Sequence, residues 1–476
     1  MLIRRVHAPR IDFAALRAEL RLPTGFSPEV EQEAALAVQS AGVAARDRAD
    51  RTDLPFVTID PPGSRDLDQA VCLERRPGGH RVRYAIADVS AFIVADGPLV
   101  AETWRRGQTI YLPDGSVPLH PRQLSEGAAS LLPDVDRLAV LWTIDLDADG
   151  ATESFHVERA VVRSRAQLDY ATVQRDADAG ALPPALTDLP RLGALLLERS
   201  LEHGAVNLPL PEQELVADGD SWRLVLRQPV PSEEHNAQIS LLTGRTAAEI
   251  MLAGGVGLLR TMPAPPPQSL SRLQIAARAL GVPWPAEAST GQVVAGVDAA
   301  DPRGAAFLDH AAELMRGAGY TAFDGAPPEQ TAHAGVGGTY AHVTAPLRRL
   351  ADRYATEVAL ALFEGRTPPQ WATQALPQLP RVMADSGRLA GSADRGAVDL
   401  AEATVLAARV GELFPAMVID VDDERPGAAG PGGVVALDEP AVRARCSGRL
   451  PLGERVLAKL VTADPARREI LFALAD

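Results

Sequence analysis

The sequence predicts an α+β protein, on three observations. Strand-like runs dominate from Phe56 onward, helical apolar spacing takes over after about residue 232, and five short β-like runs fill Leu413 to Asp476. At 476 residues the chain is too long for one core, and a prior of about one domain per 150 residues gives two to four units. Hydrophobic residues at 46% and charged residues at 23% suit a soluble globular protein, and no apolar run reaches the roughly 18 residues of a membrane span. No membrane partner is expected. Only Cys72 and Cys446 are present, too few and too far apart for a disulfide framework or a thiolate metal site, so both are assigned to cores. A formal net charge of −15 argues weakly against a phosphate partner, although a local basic channel can override a global field. Basic residues are almost all arginine, Lys459 being the one lysine, which fits a GC-rich genome.

Taken in order, "FAALRAEL" and "SPEVEQEAALAVQSAG" have helical spacing, the second opening on Ser27 and Pro28 and ending near Gly42. They give a helical lead-in over residues 1–50. The N-terminus lacks an apolar stretch and cleavage site of the signal-peptide kind, which favours the cytoplasm. "FVTID" and "VRYAIADVSAFI" (Val82 to Ile93) follow as strands, and "LAVLWTIDL" and "ESFHVERAVV" form a hairpin about Asp149 and Gly150. "MPAPPPQ" from Met262 is a surface loop. The last 65 or so residues suit a five-stranded barrel of the OB type. No solenoid repeat is visible.

The chemistry concentrates in two stretches. In "FVTIDPPGSRDLDQAV", Asp66 and Asp68 sit two apart, so an extended segment sends both from one face, and Asp60 reaches them across the Pro61-Pro62-Gly63 turn. Such a trio is either an Asp-rich surface turn partly neutralised by Arg65 or a site for Mg²⁺ or Mn²⁺, hard cations that take carboxylate oxygens and substrate phosphate. In "YAHVTAPLRRLADRYATEVALALF", Thr344 is the expected N-cap and Pro346 lies in the first turn of a helix. Arg348 and Arg349 then fall where the helix dipole disfavours cations, a conflict that a bound phosphate would resolve. The alternative pairs one of them with Asp352.

With these stretches in hand, the chain resembles the catalytic domain of the ribonuclease II (RNB) family of 3′-to-5′ exoribonucleases. "FVTIDPPGSRDLDQAV" is similar to the family's aspartate motif, and "YAIADVSAFI" to the strand after it. "RRGQTIYLPDGSVPLHPRQLSEGAASLLPDVDRLAV" looks like its long "YLP…P…P…LS…SL…R" signature, and "YAHVTAPLRRLADRYA" like its "Y-x-H-x-T-S-P-I-R-R-Y-x-D" segment. The resemblance implies a catalytic domain over 51–405, a mixed sheet with helices around an RNA channel, followed by an OB-fold RNA-binding domain over 406–476. It implies that Asp60, Asp66 and Asp68 hold one or two Mg²⁺ ions, with Mn²⁺ able to substitute, and that Asp68 and Arg348 are catalytic. It also implies that Tyr111, Tyr170 and Arg349 contact single-stranded RNA, that the product is nucleoside 5′-monophosphate, and that the protein acts as a monomer. For the two tyrosines packing is the competing role, and His333 and His342 either touch phosphate or take solvent-exposed or packing roles. Arg105 and Arg106 either line a channel or solvate a helix end, and Asp88 and Asp136 are expected to be structural.

The departures are specific. The family's "D-x-D-D" is here Asp66, Leu67, Asp68 and Gln69, so the fourth ligand is an amide, which brings no charge and lowers the expected metal affinity. "TAPLRRL" replaces "T-S-P-I-R-R-Y", "QISLL" around Ser240 replaces an acidic segment, and Leu208 stands where an aromatic is usual. Fifty residues cannot hold the two cold-shock barrels that commonly precede the domain, so a more open channel mouth and easier access to 3′ ends near a duplex are expected. A catalytically silent RNA-binding relative and a DNA nuclease are the rival functions.

Overall fold

A computed structural model describes residues 7–8, 11–208, 212–218, 221–422, 430–437 and 439–475. The first six residues, on which part of the N-terminal reading rests, lie outside the described residues. The centre is a closed five-stranded barrel of β1 (Ala49–Ile59), β2 (Gln69–Arg76), β3 (Gly79–Ala87), β4 (Asp136–Asp147) and β5 (Thr152–Leu168). Neighbours pair antiparallel except β1 and β5, whose parallel contact closes the ring and makes the sheet mixed, as expected. The hairpin between β4 and β5 turns where the Asp-Gly signal placed it. Asp147 Oδ1 accepts from the amides of Asp149 and Ala151, and Gly150 takes φ +76, which a glycine adopts freely.

Strand alternation divides the barrel residues between two cores. Val57, Val71, Tyr84 and Trp142 join a cluster with Leu242, Leu350 and Val358, whereas Phe56, Cys72, Ala85 and Leu141 join one with Val30, Ala34 and Leu99. Helices α1 (Pro28–Ala44), α2 (Tyr170–Asp178), α3 (Pro231–Gly254), α4 (Leu350–Phe363) and α5 (Leu379–Leu406) supply much of the surrounding packing. The 28-residue α5, about 42 Å long, passes Ser386, whose carbonyl accepts from Gln108, and ends at Leu406 in the core of the C-terminal barrel. That second barrel, β6 (Leu413–Val421), β7 (Gly432–Leu437), β8 (Arg443–Ser447), β9 (Arg455–Asp464) and β10 (Glu469–Leu474), is closed in the order β6-β7-β8-β10-β9. Phe414 and Phe472 meet edge to face at 5.7 Å in its core beside buried Cys446.

Three expectations need correction. The strand drawn from Val82 to Ile93 ends at Ala87, because Asp88 turns inward to the guanidinium groups of Arg48 and Arg159 and a 3₁₀ turn follows at Val89–Ala91. The helix expected from Thr344 begins only at Leu350, for reasons given with the site below. Arg106 neither lines a channel nor solvates a helix end: it is buried over the Phe26 ring and bonds Glu102 and the Pro118 carbonyl. The hairpin of Glu212–Asp218 with Ser221–Arg227 falls in the strand-rich part of the chain, though on no run singled out there, and the pair Val256–Thr261 with Gly319–Asp324 lies in the part read as mostly helical.

Candidate active site

One mouth of the first barrel gathers the ends of β1 and β5 and the start of β2. Asp60 follows directly on β1 and its amide donates to Leu168 O at the end of β5, and Tyr170 follows as the first residue of α2, capped by Asp169. After the Pro61–Gly63 turn the chain is pinned at residues 65–67. Ser130 Oγ donates to Arg65 O and accepts from Leu67 N, while Leu131 N donates to Leu67 O. From there Asp66 and Asp68 take different partners. The Asp66 carboxylate accepts from the Tyr111 hydroxyl at 2.5 Å, and Asp68 is buried, its Oδ1 accepting from Leu347 N at 2.7 Å and its Oδ2 lying 3.4 Å from Arg348 Nε.

The six residues 344–349 form an arm that keeps one turn, Arg348 N and Arg349 N both donating to Ala345 O, while most of its other backbone groups are bonded outside it, and the helix proper begins at Leu350. Thr344 O accepts from Gln69 Nε2, Ala345 N donates to Asp352 Oδ2, and Pro346 O lies 3.1 Å from His120 Nε2. Leu347 N donates to Asp68, Arg348 O accepts from Thr109 N, and Leu350 N donates to Gly107 O. Groups satisfied from outside in this way do not extend that single turn into an i−4 ladder. Gly107, at φ +71 after its helix, lets residues 107–109 run alongside the arm, and a Cβ there would meet Ser386 at 2.6 Å. His120 is buried, which pushes its pKa down to about 4, so it is neutral and its Nε2–H donates to Pro346.

Burial also dominates the acids. A carboxylate taken out of water loses several kcal/mol, and the half-exposed Arg348 returns only part of that because solvent screens it. The Asp68 pKa accordingly rises well above the carboxylate range, despite Arg348 and the Leu347 amide, with Asp66 and Asp352 adding to the rise. Asp60 is pushed up to about 6 by burial, opposed by Arg348 and reinforced by Asp66. Its Oδ2 is buried with no hydrogen-bond partner.

Among the described residues no three His, Cys, Asp or Glu side chains are already disposed to hold a metal ion, so the trio is adjacent but unassembled. The donor set nonetheless fits a hard divalent cation. It offers oxygen ligands from Asp60, Asp66 and Asp68, raised pKa values at two of them and a lone buried oxygen on Asp60, all of which a cation would relieve. Gln69 does not join them: its Oε1 accepts from Tyr84 Oη at 2.6 Å and its Nε2 donates to Thr344 O at 2.7 Å. Arg349, expected on RNA, is paired with buried Asp352 through Nε at 3.0 Å and Nη2 at 2.8 Å and braces the arm. Tyr111 is half exposed beside Asp66, and Tyr170 is partly buried against the core, its phenol pKa raised by burial and by Asp60. Partly buried His342 bonds Tyr320 Oη, and His333 stands edge to face with Tyr340, so both histidines pack. Asp352, Ser130, His120 and Tyr84 escaped the sequence reading as site residues. Only the Arg349–Asp352 spacing carried a signal.

A barrel mouth carrying clustered acids and an arginine on a braced arm, joined to a second OB-type barrel, is the frame of a known class. The RNB domain model matches residues 48–363, and that of the RNase II-type exonuclease C-terminal S1 domain matches residues 412–475. The chain belongs to the RNB-domain family. It is 27% identical over 442 residues to Ribonuclease R of Escherichia coli, covering 86% of this chain and 53% of that protein, so it spans about half the length of the curated relative. Its fold matches Mycoplasma genitalium RNase R in complex with ribose methylated single-stranded RNA, with a TM-score of 0.83 at 21% identity, covering 97% of this chain and 77% of the other. It also matches yeast Ssd1, a pseudonuclease, with a TM-score of 0.70 at 17% identity over 88% of this chain and 54% of the other.

Proposed function

We propose that this chain is a hydrolytic, processive 3′-to-5′ exoribonuclease that degrades single-stranded RNA to nucleoside 5′-monophosphates with Mg²⁺, or Mn²⁺ in its place. The observation that carries the reading is the direct tie between buried Asp68 and the arm: one acid contacts both the Leu347 amide and the Arg348 guanidinium, so acid and cation are set together at the mouth. The E. coli relative and the RNA complex of the M. genitalium protein support it. A divalent ion held by Asp60, Asp66 and Asp68 would activate water and neutralise charge on the scissile phosphate. Arg348, its guanidinium half exposed, binds the phosphate oxygens and steadies the charge that develops there. The exposed face of Tyr111 accepts any base, which suits a sequence-tolerant enzyme, and the ribose 2′-OH separates RNA from DNA. Cytoplasmic location and a monomeric state belong to the same proposal.

The test is incubation of the purified chain with Mg²⁺ and 5′-labelled RNA or DNA of one sequence, with and without EDTA, and sizing of the products. Asp68→Asn is expected to abolish cleavage while RNA affinity stays near parental. Cleavage by that variant at the parental rate would overturn the assignment. Gln69 and the likeness to a pseudonuclease favour a second reading, an RNA-binding relative without activity. Binding of the same RNA with no Mg²⁺-dependent shortening would establish it.

A further inference from the structure

We infer that Gln69 is a positioning residue that holds the arm of Arg348, and that the site is built for an amide there, not for a fourth carboxylate. The inference rests on the exoribonuclease reading and deepens it. Gln69 opens β2 directly after Asp68, and its amide is engaged at both ends: Tyr84 Oη donates to Oε1 and Nε2 donates to Thr344 O. Tyr84 is 1% exposed, so its hydroxyl needs an acceptor, and Thr344 sits with its Oγ1 2.9 Å from Ser240 Oγ. An ionised carboxylate only accepts, so it could serve Tyr84 but would set negative charge against the Thr344 carbonyl. It would also join Asp60, Asp66 and Asp68 as a further negative charge. The amide alone satisfies a donor and an acceptor together, and through Thr344 it fixes the arm that presents Arg348.

The test compares the parent with Gln69→Asp, Gln69→Glu and Tyr84→Phe, reading kcat and KM on single-stranded RNA at saturating Mn²⁺, the Kd for Mn²⁺ alone, and thermal unfolding. The expected result is a split: for both acidic variants Mn²⁺ binds as tightly as in the parent or more so, while kcat falls about tenfold or more and KM moves less than about threefold. Tyr84→Phe is expected to lower kcat in the same direction, and less than additively on the Gln69→Glu background, because both changes break one chain of bonds. If Gln69→Asp cleaves RNA as fast as the parent or faster, the position is a weakened ligand and the inference fails. Should the parent itself leave RNA intact, the exoribonuclease reading has failed, and the brace is then judged on stability: coupling between Gln69→Leu and Tyr84→Phe upholds it, and additivity overturns it.

Discussion

Asp352 makes the sharpest demand on the architecture of the arm. It is fully buried, and one carboxylate holds the Arg349 guanidinium at 3.0 and 2.8 Å and the Ala345 amide at 2.7 Å. Asp352→Asn keeps the shape and deletes the charge, leaving a largely buried guanidinium without its counter-ion. Breaking a buried pair from one side costs about 3–5 kcal/mol. Arg349 keeps some exposure, its side chain being 23% accessible, which places the expected loss near the low end, about 3 kcal/mol. Spread over the unfolding entropy of the family-matched span, residues 48–363, at about 2.1 cal/mol/K per residue, that loss lowers Tm by about 4–5 °C. Calorimetry reads it directly, and kcat on single-stranded RNA is expected to fall with it, because Ala345 loses the anchor that sets Arg348. Removing the cation as well, in Asp352→Asn with Arg349→Met, should restore at least half of the lost stability. A single variant that melts within 1 °C of the parent, or a double variant no more stable than the single, would refute the claim that this pair organises the arm.

Three further outcomes follow from individual contacts. Tyr111→Phe removes the hydroxyl that occupies Asp66, so Mn²⁺ is expected to bind about fivefold more tightly, equivalent to about 1 kcal/mol for a partly exposed bond to a charge; an unchanged Kd by titration would show that Asp66 is not held back. Glu402 Oε1 accepts from Gln213 Nε2 and Arg443 N where α5 meets the C-terminal barrel, and burial, with a smaller push from Asp399, raises its pKa to about 7. An acid raised in the folded state costs stability above that value and none below its unfolded value of about 4.5, so up to about 3 kcal/mol is lost between pH 4.5 and 8. Glu402→Gln should therefore flatten the fall in Tm from pH 5 to 8, and equal slopes for variant and parent would count against it. Gly244→Ala would set a Cβ 2.1 Å from the Tyr340 ring and 2.5 Å from Ala341 O, displacing the chain that leads into the arm; about 1–3 kcal/mol of stability should go, with kcat following, as unfolding and turnover assays would reveal.

What the sequence disclosed were features whose partners lie close by. The Asp-Gly hairpin, the five strands of the C-terminal barrel and the acid-rich turn are all set by residues within a few positions of one another. Closure of the first barrel was not legible, because it depends on a parallel contact between β1 and β5, about 110 residues apart, that leaves no local pattern. The arm shows the same limit from the other side. Thr344, Pro346 and the apolar spacing after them carry a sound local start signal, and the structure overrides it with Asp68, Gln69, His120 and Thr109, which lie far upstream. Arg349 takes the alternative left open in the sequence, since Asp352, three residues on, draws it inward, while its neighbour Arg348 keeps the half-exposed place facing Asp68.

The arrangement of the acids carries a consequence for how metal affinity and turnover relate. The chain's own donors already occupy two of the aspartates: Asp66 takes a tyrosine hydroxyl and Asp68 a backbone amide and a guanidinium, with Asp60 left holding a lone oxygen. A divalent ion must compete with those donors, so the contact at Asp66 bears on affinity. The bonds along residues 344–349 bear instead on where Arg348 stands once the ion is held. Tyr111 belongs to the first set, and Gln69, His120 and Asp352 to the second. Changes in the first set should move the Kd for Mn²⁺ more than kcat, and changes in the second should do the reverse. A shared loss of both quantities in every variant would mean that acids and arm move as one body, and that the direct bond from Asp68 to Leu347 is stiff enough to make the two indistinguishable.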